Sequence, residues 1–289
     1  MWFFYSLFFS VWSAFATTLI KNLTKKISYL PLMLILQIFG IPLMLILVLF
    51  SGGIPQTTQN FYLFMFASAT LDTIAFVSFF AAISKSEISL VTPLASFGPI
   101  FTAIIAIYTL KEIPNTIGVL GIFLIVFGAY LLNAADIKQG VLAPFKNLFR
   151  NKGVLLFLLA TLMWSITPIF QKQAIFETSP RVPLYASFWG LIFVTIFTSL
   201  IVLPKALKEF SFVKNNISKI LLYASGSSLA QLAAYTAFSL AFVGYTTAVF
   251  RTSALFIVIF GGIFLKEKRF KERLLGTLVM ILGVILLVV

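Results

Sequence analysis

LKEIPNTIGVLGIFLIVFGAYLL (110–132) and LKEKRFKERLLGTLVMILGVILL (265–287) align without a gap, 155 residues apart. Both begin with Leu-Lys-Glu, and both place glycine at the same two steps: Gly121 with Gly276, Gly128 with Gly283. Both run apolar for long enough to cross a bilayer core, which takes about 20 residues. A second echo lies upstream, where Trp12-Ser13 returns as Trp164-Ser165, 152 residues later. Glycine register, charge placement and element order all agree, which unrelated apolar helices would not share. The chain reads as two copies of one unit.

Working outward, apolar runs fall near 2–20, 29–50, 61–83, 88–110, 114–133, 153–175, 184–203, 218–241, 246–265 and 272–289, ten spans in all. Charged or turn-forming residues bound them; SGGIPQTTQN (51–60) and the stretch around Pro180 to Pro183 are loops. Pro114 suits the first turn of its helix, where a missing N–H costs little. The first run has no basic residue ahead of it and Lys21, Lys25 and Lys26 behind it, so it reads as a span and not as a cleaved leader. Composition agrees: 61% of the 289 residues are hydrophobic and 10% charged, against about 25% charged in a soluble domain. Mean hydropathy is +1.08. The 34 phenylalanines read as lipid-facing and packing bulk.

Five spans per copy is an odd number, so the second copy must sit inverted in the membrane. The expected fold is an all-α integral membrane protein of ten transmembrane helices, built as two inverted five-helix repeats. The first repeat covers 1–133, a cytoplasmic linker 134–152, and the second repeat 153–289. The net charge of +13 would suggest nucleic acid in a soluble protein. Here its distribution carries the meaning. Seventeen of the 21 lysines and arginines fall in odd-numbered loops, and Lys111, Lys172 and Arg181 in even-numbered ones. The positive-inside rule then puts both termini outside the cytoplasm of a multi-pass protein in the cell membrane. Lipid, and not nucleic acid, is the expected partner; monomer and homodimer both stay open. The chain has no cysteine and no histidine, which removes disulfides, thiolate nucleophiles, histidine metal sites and histidine acid–base chemistry.

Inverted repeats are a recurring plan of secondary transporters, with the substrate site where the repeats meet. GPIFTAIIAIYTLKEIPNTIGVLGIFLIVFGAYLL (98–132) resembles the repeat of EamA-type members of the drug/metabolite transporter superfamily. A proline leads the fourth span, a glutamate closes it, and a glycine-spaced fifth span follows. AAISKSEISLVTPL (81–94) resembles the third-to-fourth junction of that repeat. The resemblance covers nearly the whole chain. It implies an exporter or exchanger of small organic metabolites, with a central cavity lined by spans 1, 3, 4, 6, 8 and 9. Two departures stand out. Ala254 occupies the position matching Pro99, which would leave the second repeat without that kink. Small multidrug relatives rely on a glutamate in the first span, and the first span here has no acidic residue.

Of the eight acidic residues, Asp72 alone lies central to a span. Charge at mid-bilayer is costly and usually faces the bundle interior. Ser68, one turn before it, and Ala75 and Phe76, one turn after, share its face. The eighth span repeats the idea with Ser227, Ser228, Gln231, Ala234 and Tyr235; the fourth offers Ser89, Thr92, Ser96 and Pro99; the ninth offers Thr247 and Arg251. Small hydroxylated residues also let helices approach closely, so Ser89, Thr92, Ser227 and Ser228 divide evenly between packing and lining. The polar heads of Gln231 and Tyr235 need partners in a dry interior, which favours the cavity. Trp12 and Trp164 sit at matching points of spans 1 and 6, as packing or as flat cavity walls. Tyr108 and the aromatic run at 2–9 suit the membrane interface.

Arg251 and Asp72 admit two readings. They form a structural ion pair, or they are opposite poles of a site that meets the carboxylate and amine of an amino-acid-like solute. Snorkelling of Arg251 to the outer interface is a lesser third. The candidate substrate-binding residues are therefore Asp72, Arg251, Gln231, Tyr235, Ser96, Trp12 and Trp164, with Asp72 as candidate proton carrier. No catalytic residue, metal site or cofactor is expected. No GxxxxGK[ST] loop occurs to use ATP, and a single mid-membrane carboxylate cannot serve an aspartyl hydrolase. The expected function is secondary active transport of small organic metabolites, amino acids among them. The alternatives are a multidrug or cation exporter with Asp72 as counter-charge, or a lipid-moving or structural membrane protein.

Overall fold

A computed structural model describes residues 1–24, 26–85, 92–134, 151–265 and 270–288. The linker 134–152 is largely outside these residues, as are Ser89 and Glu267. The elements run α1 (Trp2–Leu23), α2 (Tyr29–Phe50), β1 (Gln56–Thr57), α3 (Gln59–Lys85), a 3-10 segment (Thr92–Phe97) leading into α4 (Gly98–Thr109), and α5 (Thr116–Ala134). Then follow α6 (Lys152–Phe176), β2 (Thr178–Ser179), α7 (Pro183–Leu207), the short α8 (Phe210–Asn215), α9 (Ile217–Leu240), α10 (Val243–Phe250), α11 (Ser253–Leu265) and α12 (Phe270–Val288).

Four of the described helices, α2, α3, α6 and α7, are long and apolar enough to cross a membrane by themselves, and shorter apolar helices accompany them. A bundle of this kind turns large apolar side chains outward, because lipid rewards what water would penalise. Phe50, Leu200, Phe123 and Leu282 are all exposed. The interior instead gathers small residues, among them Ala14, Ala75, Ala160, Ala224 and Ala237. That composition allows close helix contact where no hydrophobic driving force exists between helices.

The repeated glycines have a specific use. α5 packs along α12, and the two glycine pairs of the opening alignment meet there. A Cβ on Gly128 would stand 2.6 Å from the Gly276 carbonyl oxygen, and one on Gly283 would stand 2.8 Å from that of Gly121. The backbones touch, and only hydrogen fits between them. Other packings also join the halves: α3 on α6, α1 on α9, α2 on α7, and α4 on α10.

Two departures from the expected elements matter. Lys172, expected in a loop, lies within α6 and is 6% exposed. The ninth span was expected to be unkinked, since it lacks the proline of the fourth. It is nonetheless interrupted at Arg251–Thr252. The fourth span breaks where Pro99 has no N–H to give to the preceding turn. The ninth breaks because hydroxyls compete for one carbonyl. Val249 O accepts from Ser10 Oγ of α1 at 2.8 Å and from Thr252 Oγ1 at 2.7 Å. The same oxygen also takes the Thr252 N–H at 3.0 Å, one residue short of the helical partner, so the helix bond to residue 253 loses its acceptor. Helix thus restarts at Gly98 in one half and at Ser253 in the other, again 155 residues apart.

One end of the bundle is capped. Gly52 and Gly53, with φ of 92° and 131°, turn the chain after α2. β1 then pairs antiparallel with β2, Gln56 opposite Ser179 and Thr57 opposite Thr178. Thr58 Oγ1 donates to Glu177 Oε2 at 2.5 Å. Beneath the strands Phe61, Met65, Ile175, Tyr185 and Tyr235 form one buried apolar cluster.

Candidate functional site

A cavity of about 720 Å³ occupies the middle of the bundle, within the usual range for small-molecule sites. A smaller chamber of about 420 Å³ shares Phe9, Ser13, Thr17 and Ser227 with it; their common wall reaches Tyr29, and the smaller chamber goes on to Ile20 and Phe80. These last residues lie at the ends of α1, α2 and α3 away from the strands. In the opposite direction the lining stops at Gln171, Phe238 and Thr247. The described walls therefore lead to one end of the bundle and stop short of the capped end.

Both halves supply the walls. Asp72 projects from the middle of α3, where Gln171 Nε2 of α6 donates to its Oδ2 at 3.4 Å. Arg251 comes from the interruption between α10 and α11. Its Nη2 lies against Gly98, where a Cβ would stand 2.8 Å away. Glycine at the start of α4 thus makes room for the guanidinium. The Nε of Arg251 is buried without a hydrogen-bond partner. Among the described residues the one ion pair is Lys172–Glu112. Asp72 and Arg251 share a cavity without pairing.

Ser96, Gln231, Tyr235 and Trp164 also line this space, with Ser227 and Ser228 beside them. Gln231 Nε2 donates to Ser187 O at 2.9 Å, which orients its amide. Tyr235 is almost wholly buried, with its hydroxyl over Gly190. Trp164 meets Phe76 edge to face, with ring centres 5.4 Å apart, and forms an apolar wall. Trp12 faces the smaller chamber, lies over Gly226, and donates from Nε1 to Ser227 Oγ at 3.1 Å. It both packs and lines. Gly98 and Gly226 share a purpose: each leaves space for a large side chain from the other half.

The cavity also contains Thr167, Gln171 and Gln37, which the sequence reading passed over. A signal for the first two exists. Trp164, Thr167 and Gln171 fall at steps of three and four, one face of α6. Gln37 gave none, as one amide in the apolar run of α2; its Oε1 is buried and unpartnered.

A helical bundle whose outer surface is apolar and whose centre holds a largely apolar cavity with a few polar and charged groups is the architecture of a multi-pass membrane transporter. The chain matches the EamA-like transporter family over residues 1–134 and again over 151–289, and it belongs to that family. An uncharacterized protein of Methanocaldococcus jannaschii is 34% identical over 103 residues, 36% of this chain and 75% of the relative. A solved crystal structure with 10% sequence identity has the same fold, with a TM-score of 0.74 over 99% of this chain and 94% of the other.

Proposed function

We propose that this protein is a secondary active transporter of small organic metabolites, amino acids among them, and that it exports or exchanges them across the cell membrane. The observation that carries this reading is the central cavity, with Asp72 from the first half and Arg251 from the second facing it unpaired. Two opposite charges in one low-dielectric chamber suit a solute bearing both. Gln231, Tyr235 and Ser96 supply orienting polar groups, and Trp12 and Trp164 supply apolar walls. Asp72 serves also as proton carrier.

Ten spans in two inverted repeats, with both termini outside, support an alternating-access cycle. On that topology the capped end is external, and the chamber leads toward the cytoplasm. The aromatic walls favour a second reading, export of lipophilic cations with Asp72 as counter-charge. Arg251 in the same chamber repels such cations and argues for the first reading.

The test is counterflow in proteoliposomes against a panel of amino acids, other zwitterions and lipophilic cations. Saturable exchange of zwitterions supports the proposal. Exchange of cations alone would replace it with the second reading, and no exchange of any solute would remove both.

A further inference from the structure

The capped end holds a buried ion pair that joins the two halves. Lys111, with φ of 58°, turns the chain after α4 and directs Glu112 inward. Glu112 and Lys172 are both buried. Lys172 Nζ donates to Glu112 Oε1 at 2.6 Å and to Ala241 O at 2.7 Å. The second carboxylate oxygen, Glu112 Oε2, accepts the N–H of Val243 at 2.7 Å. The cation thus sits at the C-terminal end of α9 and the anion at the first residue of α10. Each charge matches the sign of the helix end that it touches.

Neither residue lines the central cavity. Their strong bonding positions are turned toward each other and toward the backbone, which leaves little capacity for a ligand. What the arrangement can do is hold and release. Dry and closed, the two charges satisfy each other. Opened to water, each would be hydrated instead, so the pair has two favourable states and a costly one between them. Such an element is bistable.

α10 links this pair to the cavity. Val243 begins the helix, and Arg251 caps its other end, about 12 Å away at 1.5 Å per residue. Thr247, midway, lines the cavity. We propose that Glu112 and Lys172 form the gate of the capped end, and that α10 transmits its state to Arg251. This rests on the alternating-access reading above. A solute bound at Arg251 then pulls on the helix whose far end Glu112 holds.

The chain's lack of cysteine gives a clean test. Ser227→Cys places one near-isosteric thiol in the cavity, to be labelled by a membrane-impermeant maleimide applied from the face bearing Glu112. Three changes are then combined with it. Glu112→Gln with Lys172→Met removes both charges together, so no lone charge is left buried. Val243→Pro removes the N–H that Glu112 accepts and puts an apolar ring of similar volume in place of the buried isopropyl group. Phe242 already has φ −60° and ψ 134°, which suits a residue before proline, and proline is welcome at a first helical position. Lys172→Arg keeps the pair.

The expected result is labelling from that face at least tenfold faster in the charge-free variant, several-fold faster in Val243→Pro, and unchanged in Lys172→Arg. Labelling of Val243→Pro at the Ser227→Cys rate would overturn the gate, whether or not the charge-free variant folds. The readout needs no solute. Faster labelling in a protein without any flux would keep the gate and remove the transport reading; flux with unaltered labelling would do the reverse.

Discussion

The two halves of this protein, compared at a spacing of 155, keep their backbone and exchange their chemistry. Helix restarts at Gly98 in one and at Ser253 in the other. Asp72 in the first corresponds to Ser227 in the second, and Ser96 in the first corresponds to Arg251 in the second. Each half thus contributes one charge to the cavity, and at the equivalent position of the other half a serine lines the same space. Repetition fixes where backbones break and touch, whereas side chains at equivalent points are free to diverge. A chamber formed from two unlike copies can hold a solute with two unlike ends.

The largest effect expected within this comparison comes from separating charges that bridge the halves. Lys172→Met alone leaves Glu112 buried without its cation and should lower stability by about 3–5 kcal/mol. Denaturant or thermal unfolding in detergent checks it, and a change below 1 kcal/mol would mean that the pair is hydrated in solution.

The glycine seam should be next, and should respond alike from both sides. Gly128→Val or Gly276→Val inserts branched carbons where a single Cβ already crowds the opposite backbone. Each should cost about 1–3 kcal/mol or more. If one were harmless and the other severe, the seam would not be shared equally.

Arg251 and Asp72 should affect function more than folding. Arg251→Gln should lose solute-induced thermal stabilisation, since bound ligand favours the native state, while the ligand-free melting temperature holds or rises. Asp72→Asn should abolish pH-driven flux and spare solute exchange; unaltered pH dependence would remove the coupling role.

The smallest effect is expected from Ala254→Pro, which gives the second half the proline of the first. In an unbroken helix it would cost about 3 kcal/mol. Here the helix has already been interrupted at Arg251–Thr252, so the cost should stay near 1 kcal/mol, about the loss of one hydrogen bond.

Much of the architecture was legible in the sequence because membrane helices announce themselves by length and composition. The glycines at 121, 128, 276 and 283 stood out in the sequence as marks of repetition, whereas the contact that they make across two helices is visible only in the fold. The ninth span was misread for a physical reason. Its break depends on Ser10, 239 residues away from the carbonyl that it binds, and no local pattern carries that. Lys172 misled because the sequence shows a lysine near a helix end, where exposure is the ordinary outcome, and hides the partner 60 residues earlier. Within the cavity, residues on helical stripes were recoverable. Gln37 was not, because a lone amide in an apolar run has no periodicity to reveal the direction it faces.

The contact of α5 with α12 has a mechanical consequence. Where two backbones touch through hydrogen alone, sliding drives Cα hydrogens against carbonyl oxygens, and parting forfeits the dispersion and weak Cα–H···O contacts that close approach provides. The least costly motion left is a roll about that line of contact. The seam then acts as a fulcrum, and displacement grows with distance from it. A few degrees of tilt, negligible at Gly128, become a wide swing at the far side of the bundle. In any such tilt, a junction this close would set how far the distant parts of the bundle travel.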